Sequence, residues 1–155
     1  GSSRVSTLVK VGDQAPDFTL MATGGSEITL SSFQGRPVVI VFYPGDDSPV
    51  CTEQLNSYNE GIDEFKRLDA QVLGISFQSL DSHESFSEKY GLNFPLLADT
   101  DKHVSKLFGI LGPLGFPRRS VFIVDGGGVI RYAHRAIAGL SYRPVSELIS
   151  VLNSL

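Results

Sequence analysis

The apolar positions of this chain fall into two kinds of run. Val38 to Tyr43 (V-V-I-V-F-Y) is continuous, β-branched and aromatic, with no polar interruption. Such a run predicts a strand buried on both faces. Pro44 ends it, because proline has no N–H to give to a ladder. Gly45, Asp46, Asp47, Ser48 and Pro49 are turn and helix-start residues. The period then changes. Leu55, Tyr58, Ile62, Phe65 and Leu68 recur at intervals of three and four, which predicts an amphipathic helix leaving the carboxyl end of the strand.

The same reading covers the rest of the chain. Residues 1–12 are polar and expected to be loosely held. Asp17–Leu20 and Ile28–Leu30 are short β-prone runs around Ala22-Thr23-Gly24-Gly25-Ser26, a hairpin. Ser31–Gly35 reads as a short helical turn. Gln71–Phe77 is a second strand of the buried kind. Ser79–Tyr90 reads as a helix with His83, Phe86 and Tyr90 on one face and Gly91 as its stop. Phe94–Leu97 is a short extended piece, and Lys102–Phe108 a short helix with Val104, Leu107 and Phe108 inward. Gly109–Pro117 is a loop. Arg119–Val124 and Val129–His134 are strands joined by a turn at Asp125-Gly126-Gly127-Gly128. Pro144 opens a C-terminal helix carrying Val145, Leu148, Ile149 and Leu152. Alternating β and α elements followed by an antiparallel hairpin give an α/β fold, a central mixed β-sheet flanked by helices, with an N-terminal β-hairpin.

Composition narrows the functional classes. A chain of 155 residues with 41% apolar content predicts one domain, residues 1–155, with a single substantial core. A net charge of −4 offers no basic footprint for nucleic acid. No run of about 18 apolar residues predicts a membrane span. The three histidines show no pair at ligand spacing on a helix face, so no metal is expected, nor any other cofactor. The glycines at 126–128 precede a strand rather than a helix, which excludes a phosphate loop. One cysteine excludes an internal disulfide framework and fits a reducing compartment. Gly1-Ser2-Ser3 reads as an expression-tag remnant. The expected location is cytoplasmic, or organellar if a transit peptide has been removed.

That cysteine, Cys51, falls in the first turn of the helix that follows the buried strand. Free backbone N–H groups and the helix dipole favour an anion there, and the thiolate is the reactive form of cysteine. Most lone cysteines are small buried hydrophobes. The polar Pro-Gly-Asp-Asp-Ser-Pro turn beside this one argues for reactivity instead.

Pro44, Ser48 and Cys51 match P-x-x-x-[T/S]-x-x-C, set between an F-Y strand end and a C-T-x-Q helix start. This pattern resembles the signature of the peroxiredoxins. Asp17-Phe18-Thr19-Leu20 resembles an early segment of that family, and Arg119-Ser120-Val121-Phe122-Ile123-Val124-Asp125 a late strand. The likeness spans nearly the whole chain and is greatest to the Q-type group, the bacterioferritin comigratory proteins. It implies a thioredoxin-like fold and a thiol-dependent peroxidase acting on hydrogen peroxide and organic hydroperoxides. In that role Cys51 is the nucleophile, and Arg119 steadies the thiolate and donates to a peroxide oxygen. Ser48 orients the peroxide, Pro44 shields the sulfur, and Val50 joins Ser48, Cys51 and Arg119 around the substrate. Thr52 and Gln54 match less selective positions, and ordinary first-turn polarity accounts for Thr52. Arg118 should point away from Arg119 by strand alternation. Asp46 and Asp47 oppose a nearby thiolate, weakly if they face solvent.

One departure from the family matters. Many Q-type members carry a resolving cysteine five residues after the first, and others carry it in the next helix after a Phe. Those positions hold Asn56 and Ser87 here. The single cysteine is therefore either native or the result of a Cys→Ser exchange at 87. An external thiol must then complete the cycle: thioredoxin, a glutaredoxin-like protein, a low-molecular-weight thiol or another copy of this protein. The chain is expected to act as a monomer or weak homodimer. Two other readings remain at this stage: a thioredoxin-like thiol-exchange protein, weakened by the missing C-x-x-C pair, and a redox-sensing module without turnover.

Overall fold

The computed structural model describes residues 9–45, 49–112, 115, 117–135 and 144–155. Its elements are β1 (Thr19–Ala22), β2 (Ser26–Thr29), a 3-10 turn (Leu30–Phe33), β3 (Val38–Phe42), α1 (Pro49–Glu60), α2 (Ile62–Arg67), β4 (Gln71–Ser76), α3 (Leu80–Tyr90), β5 (Leu96–Ala98), α4 (His103–Leu107), β6 (Ser120–Val124), β7 (Ile130–Arg135) and α5 (Val145–Asn153). The strands form one mixed sheet in the order β2-β1-β5-β4-β3-β6-β7. β3, β4 and β5 run parallel, and β6 lies antiparallel on the other side of β3.

Strand alternation divides the core into two layers. Val38, Ile40 and Phe42 point to one face, where they meet Phe122, Val124, Val104 and Phe108. The rings of Phe42, Phe108 and Phe122 pack with centroids 5.1 to 5.9 Å apart. Val39, Val41 and Tyr43 point to the other face, against Leu55, Tyr58, Phe65, Phe86, Val121, Ile123 and Leu148. Helix α4 and the 3-10 turn thus cover one side, and α1, α2, α3 and α5 the other. Both faces being covered is why β3 reads as an unbroken apolar run; each fully buried aliphatic side chain contributes about 1.5–3 kcal/mol. Helix α3 has the expected ends: the Ser79 hydroxyl accepts from Ser82 N–H, and Gly91 closes the helix at φ 61°.

Three expectations need correction. The helix after Cys51 is broken into α1 and α2 at Gly61, whose φ and ψ are −90° and 9°. A Cβ there would lie 2.8 Å from Val145 Cγ1, so the break lets α5 approach closely. Leu107 is 44% exposed rather than inward. Helix α4 is only five residues long; Val104 within it and Phe108 just after it fill the core, while Ser105 is buried by bonds to Asp99. Of the N-terminal segment, residues 1–8 lie outside the described residues, and 9–12 are tied down: Val9 packs on the core, its carbonyl accepts from Arg135, and Gly12 N–H donates to Ile130. Pro144 opens α5 from the N-cap position, as expected.

Gly74 lies within β4, where a Cβ would sit 2.7 Å from Leu96 Cδ2 and 3.5 Å from the rings of Phe94 and Tyr43. Gly74→Ala should therefore lose about 1–3 kcal/mol through overpacking, despite the better strand propensity of alanine. Urea titration checks this; an unchanged midpoint would show that the layer yields freely. In the β6–β7 turn, partial burial opposes ionisation of Asp125. The Arg131 side chain and the Val129 and Gly127 N–H groups outweigh that and hold its carboxyl below the ordinary value. Its folded value being depressed, the stabilisation is complete above the unfolded value and disappears as pH falls through the folded one. The stability advantage of the wild type over Asp125→Asn should accordingly shrink below about pH 4. Thermal melts across that range test it, and a constant difference would refute it.

Candidate active site

Chain direction brings Pro44, Val50, Cys51 and Arg119 to one end of the sheet. β3 runs into Pro44 and then α1, and β6 begins beside the end of β3, with Phe42 opposite Ser120. Cys51 is the third residue of α1 and is 0% exposed. Arg119 immediately precedes β6 and shares the parity of Val121 and Ile123, so it points into the layer that holds Cys51. It is 3% exposed. Its Nη1 donates to Cys51 Sγ at 3.3 Å and to Gln54 Oε1 at 2.7 Å. The sulfur thus lies at a helix start, within hydrogen-bond reach of a buried cation.

Gln54 joins the site through its amide. It is fully buried, and its Nε2 donates to the Tyr58 hydroxyl at 3.2 Å. The sequence signal for it was its spacing of three from Cys51, which places both on one face of α1. Thr52 is half-buried in the first turn of α1. Pro44 is half-buried at the end of β3, where the ladder bond from Tyr43 N–H to Ile75 is the last before it. Val50 is half-buried in the first turn of α1. Arg118 differs from Arg119: it is half-buried, and its backbone N–H donates to Ile110 while its carbonyl accepts from Ser120. Ser48, Asp46 and Asp47 lie outside the described residues.

Of the positions compared with resolving cysteines, Asn56 is half-buried on α1 and Ser87 half-buried on α3. Ser87 follows Phe86, which packs in the layer containing Cys51, and its carbonyl accepts from Leu92 N–H. The histidines stand apart from the site. Buried His83 lies between the Tyr43 hydroxyl, 3.4 Å from Nδ1, and the Leu97 carbonyl, 3.0 Å from Nε2. The carbonyl can only accept, so Nε2 carries the proton.

A grouping that histidine spacing alone did not reveal is Asp99, Asp101 and His103, whose ligand-type atoms lie within 4.8 Å of one another. Asp99 is committed elsewhere: it accepts from the backbone of Val104 and Ser105 and from the Ser105 hydroxyl, capping α4. The hydrogen bond from His103, followed by its backbone N–H, holds the exposed Asp101 carboxyl below its ordinary value.

A profile of the AhpC/TSA family matches residues 11–133. Peroxiredoxin Q, chloroplastic, of Oryza sativa subsp. japonica is 37% identical over 152 residues, covering 95% of this chain and 68% of the relative. AhpC of Mycobacterium bovis superposes with a TM-score of 0.86 at 30% identity, covering 95% of this chain and 92% of that one. The bacterioferritin comigratory protein of Xanthomonas campestris, whose alkyl peroxide reduction activity was studied in trapped intermediate and ligand complexes, superposes at 0.81 with 28% identity over 96% of this chain and 98% of its own. The sheet order, the buried cysteine at the start of α1 and these likenesses agree: the chain belongs to the AhpC/TSA family of peroxiredoxins, has their thioredoxin-like α/β fold, and falls with the Q-type group.

Proposed function

We propose that this chain is a thiol-dependent peroxidase in which Cys51 attacks the peroxide and Arg119 organises the attack. The carrying observation is the 3.3 Å hydrogen bond from a buried guanidinium to a buried sulfur at a helix start. The thiolate attacks one peroxide oxygen in line with the O–O bond. An S–O bond forms, the O–O bond breaks, and the leaving hydroxide or alkoxide takes a proton to depart as water or alcohol. Cys51 is left as the sulfenic acid. Arg119 serves both ends of the step, first holding the thiolate and then donating to the peroxide oxygen on which charge develops. Ser48 and the Val50 segment orient the substrate, and Pro44 keeps water from the sulfur. Organic hydroperoxides are supported as substrates by the alkyl peroxide reduction named for the Xanthomonas relative.

Regeneration uses a thiol from outside the chain. A first thiol displaces water from the sulfenic acid to form a mixed disulfide, and a second releases Cys51. Cys51 has no exposed surface, so the first turn of α1 must open before a protein thiol reaches it. Thioredoxin, a glutaredoxin-like protein or a low-molecular-weight thiol can fill this role, and the chain acts as a monomer or weak homodimer. The chloroplast named for the plant relative supports an organellar setting beside a cytoplasmic one. No helix among the described residues is long and apolar enough to cross a membrane.

Arg119→Met should slow peroxide oxidation of Cys51 by roughly 100-fold, while Arg118→Met changes it little. Stopped-flow oxidation of both variants decides this, and equal effects would remove Arg119 from its role. Excess peroxide without thiol should add two and then three oxygens at Cys51 on an intact monomer. Ser87→Cys should protect the sulfur by closing a disulfide once α1 opens. If that variant over-oxidises as fast as the parent and forms no bond, Ser87 does not stand where a resolving cysteine belongs. Oxidation that stops at one equivalent whatever thiol is supplied would select a redox sensor over a peroxidase.

A further inference from the structure

We propose that Tyr58 is a positioning residue for the chemistry of Cys51, acting through Gln54 and Arg119. The assignment rests on Cys51 and Arg119 as the reacting pair and extends that site two side chains along α1. Tyr58 is fully buried, and a buried phenol needs a hydrogen-bond partner for its hydroxyl. Gln54 Nε2 supplies one at 3.2 Å. The amide is equally constrained on its other side. A guanidinium only donates, so the atom facing Arg119 Nη1 at 2.7 Å must be Oε1. Turned over, the amide would aim its NH2 group at the guanidinium and leave its oxygen facing the phenol.

The Tyr58 hydroxyl, by accepting from Nε2, therefore holds Oε1 toward Arg119. The same Nη1 is shared between Oε1 and the Cys51 sulfur 3.3 Å away. Its place at the sulfur thus depends on the carbonyl that holds it from the side. Cys51, Gln54 and Tyr58 lie at spacings of three and four on one face of α1, so a single helical register fixes all three. Phenylalanine at 58 would keep the ring in its apolar layer and remove only the hydroxyl. Packing alone does not call for tyrosine there.

The test is a mutant cycle on Tyr58→Phe, Gln54→Ala and the double variant, read as the rate of Cys51 oxidation by hydrogen peroxide and of its alkylation by iodoacetamide. Tyr58→Phe should slow peroxide oxidation by about five- to tenfold, because small misplacements of a catalytic donor are costly. In the Gln54→Ala background the same change should alter the rate by less than about twofold, since the link is already cut. Tyr43→Phe is the control. It removes another buried hydroxyl from the same layer, the partner of His83, and should lower thermal stability comparably without the rate effect. Independent rate losses for Tyr58→Phe and Gln54→Ala, or equal losses for Tyr43→Phe and Tyr58→Phe, would overturn the proposal. The alkylation arm separates it from the peroxidase reading, because iodoacetamide reports the placement of Arg119 at the sulfur whatever the oxidant. Wild-type Cys51 that alkylates but ignores peroxide would end the peroxidase reading. Coupling between positions 54 and 58 in alkylation would still uphold the role of Tyr58, and its absence would refute it.

Discussion

The antiparallel pairing of β3 with β6 is the constraint on which the site depends. β3 ends where β6 begins, so the helix start carrying Cys51 and the residue preceding β6 meet at one end of the sheet. Side-chain alternation then decides which of two adjacent arginines enters. Arg119 has the parity of Val121 and Ile123 and reaches the sulfur, whereas a one-residue slip would send Arg118 instead. The register that fixes this choice extends over five matched pairs from Val38–Val124 to Phe42–Ser120. It is held by apolar side chains in both layers, far more strongly than any single polar contact could hold it.

A buried guanidinium is costly unless its donors are met. Arg119 meets its surroundings with a sulfur and an amide oxygen, both supplied by α1. The helix thus contributes nucleophile and support together. Its own position comes from Leu55 and Tyr58 packing under Val39, Val41 and Tyr43, and from the close approach of α5 at Gly61. Stability and chemistry are therefore coupled through the layer that α1 shares with the sheet. The opposite layer, built on Phe42, Phe108 and Phe122, holds the sheet without touching the sulfur.

Much of this was legible in the sequence. The unbroken run Val38–Tyr43, the change of period after Pro44, the hairpin residues at 125–128 and the Ser79 and Gly91 ends of α3 are local signals of local physics, and the elements form there. The P-x-x-x-S-x-x-C pattern singled out Cys51, and the likeness of a late strand singled out Arg119. Local signals failed where the deciding neighbour is distant in sequence. Gly61 breaks a periodic helix where Val145 of the distant α5 lies against it, and Leu107 faces outward because Asp99 draws Ser105 inward in so short a helix.

The sequence by itself determined the strands, the helices and the residue types that can do thiol chemistry, because propensity, periodicity and helix-start electrostatics act over a few neighbouring residues. Only the tertiary structure brought Arg119, 68 positions from Cys51, to the sulfur and placed Gln54 and Tyr58 behind it. Those placements follow from strand register and from the requirement that buried donors and acceptors find each other. Both are set by how distant segments pack, and neither is written in any single stretch of the chain.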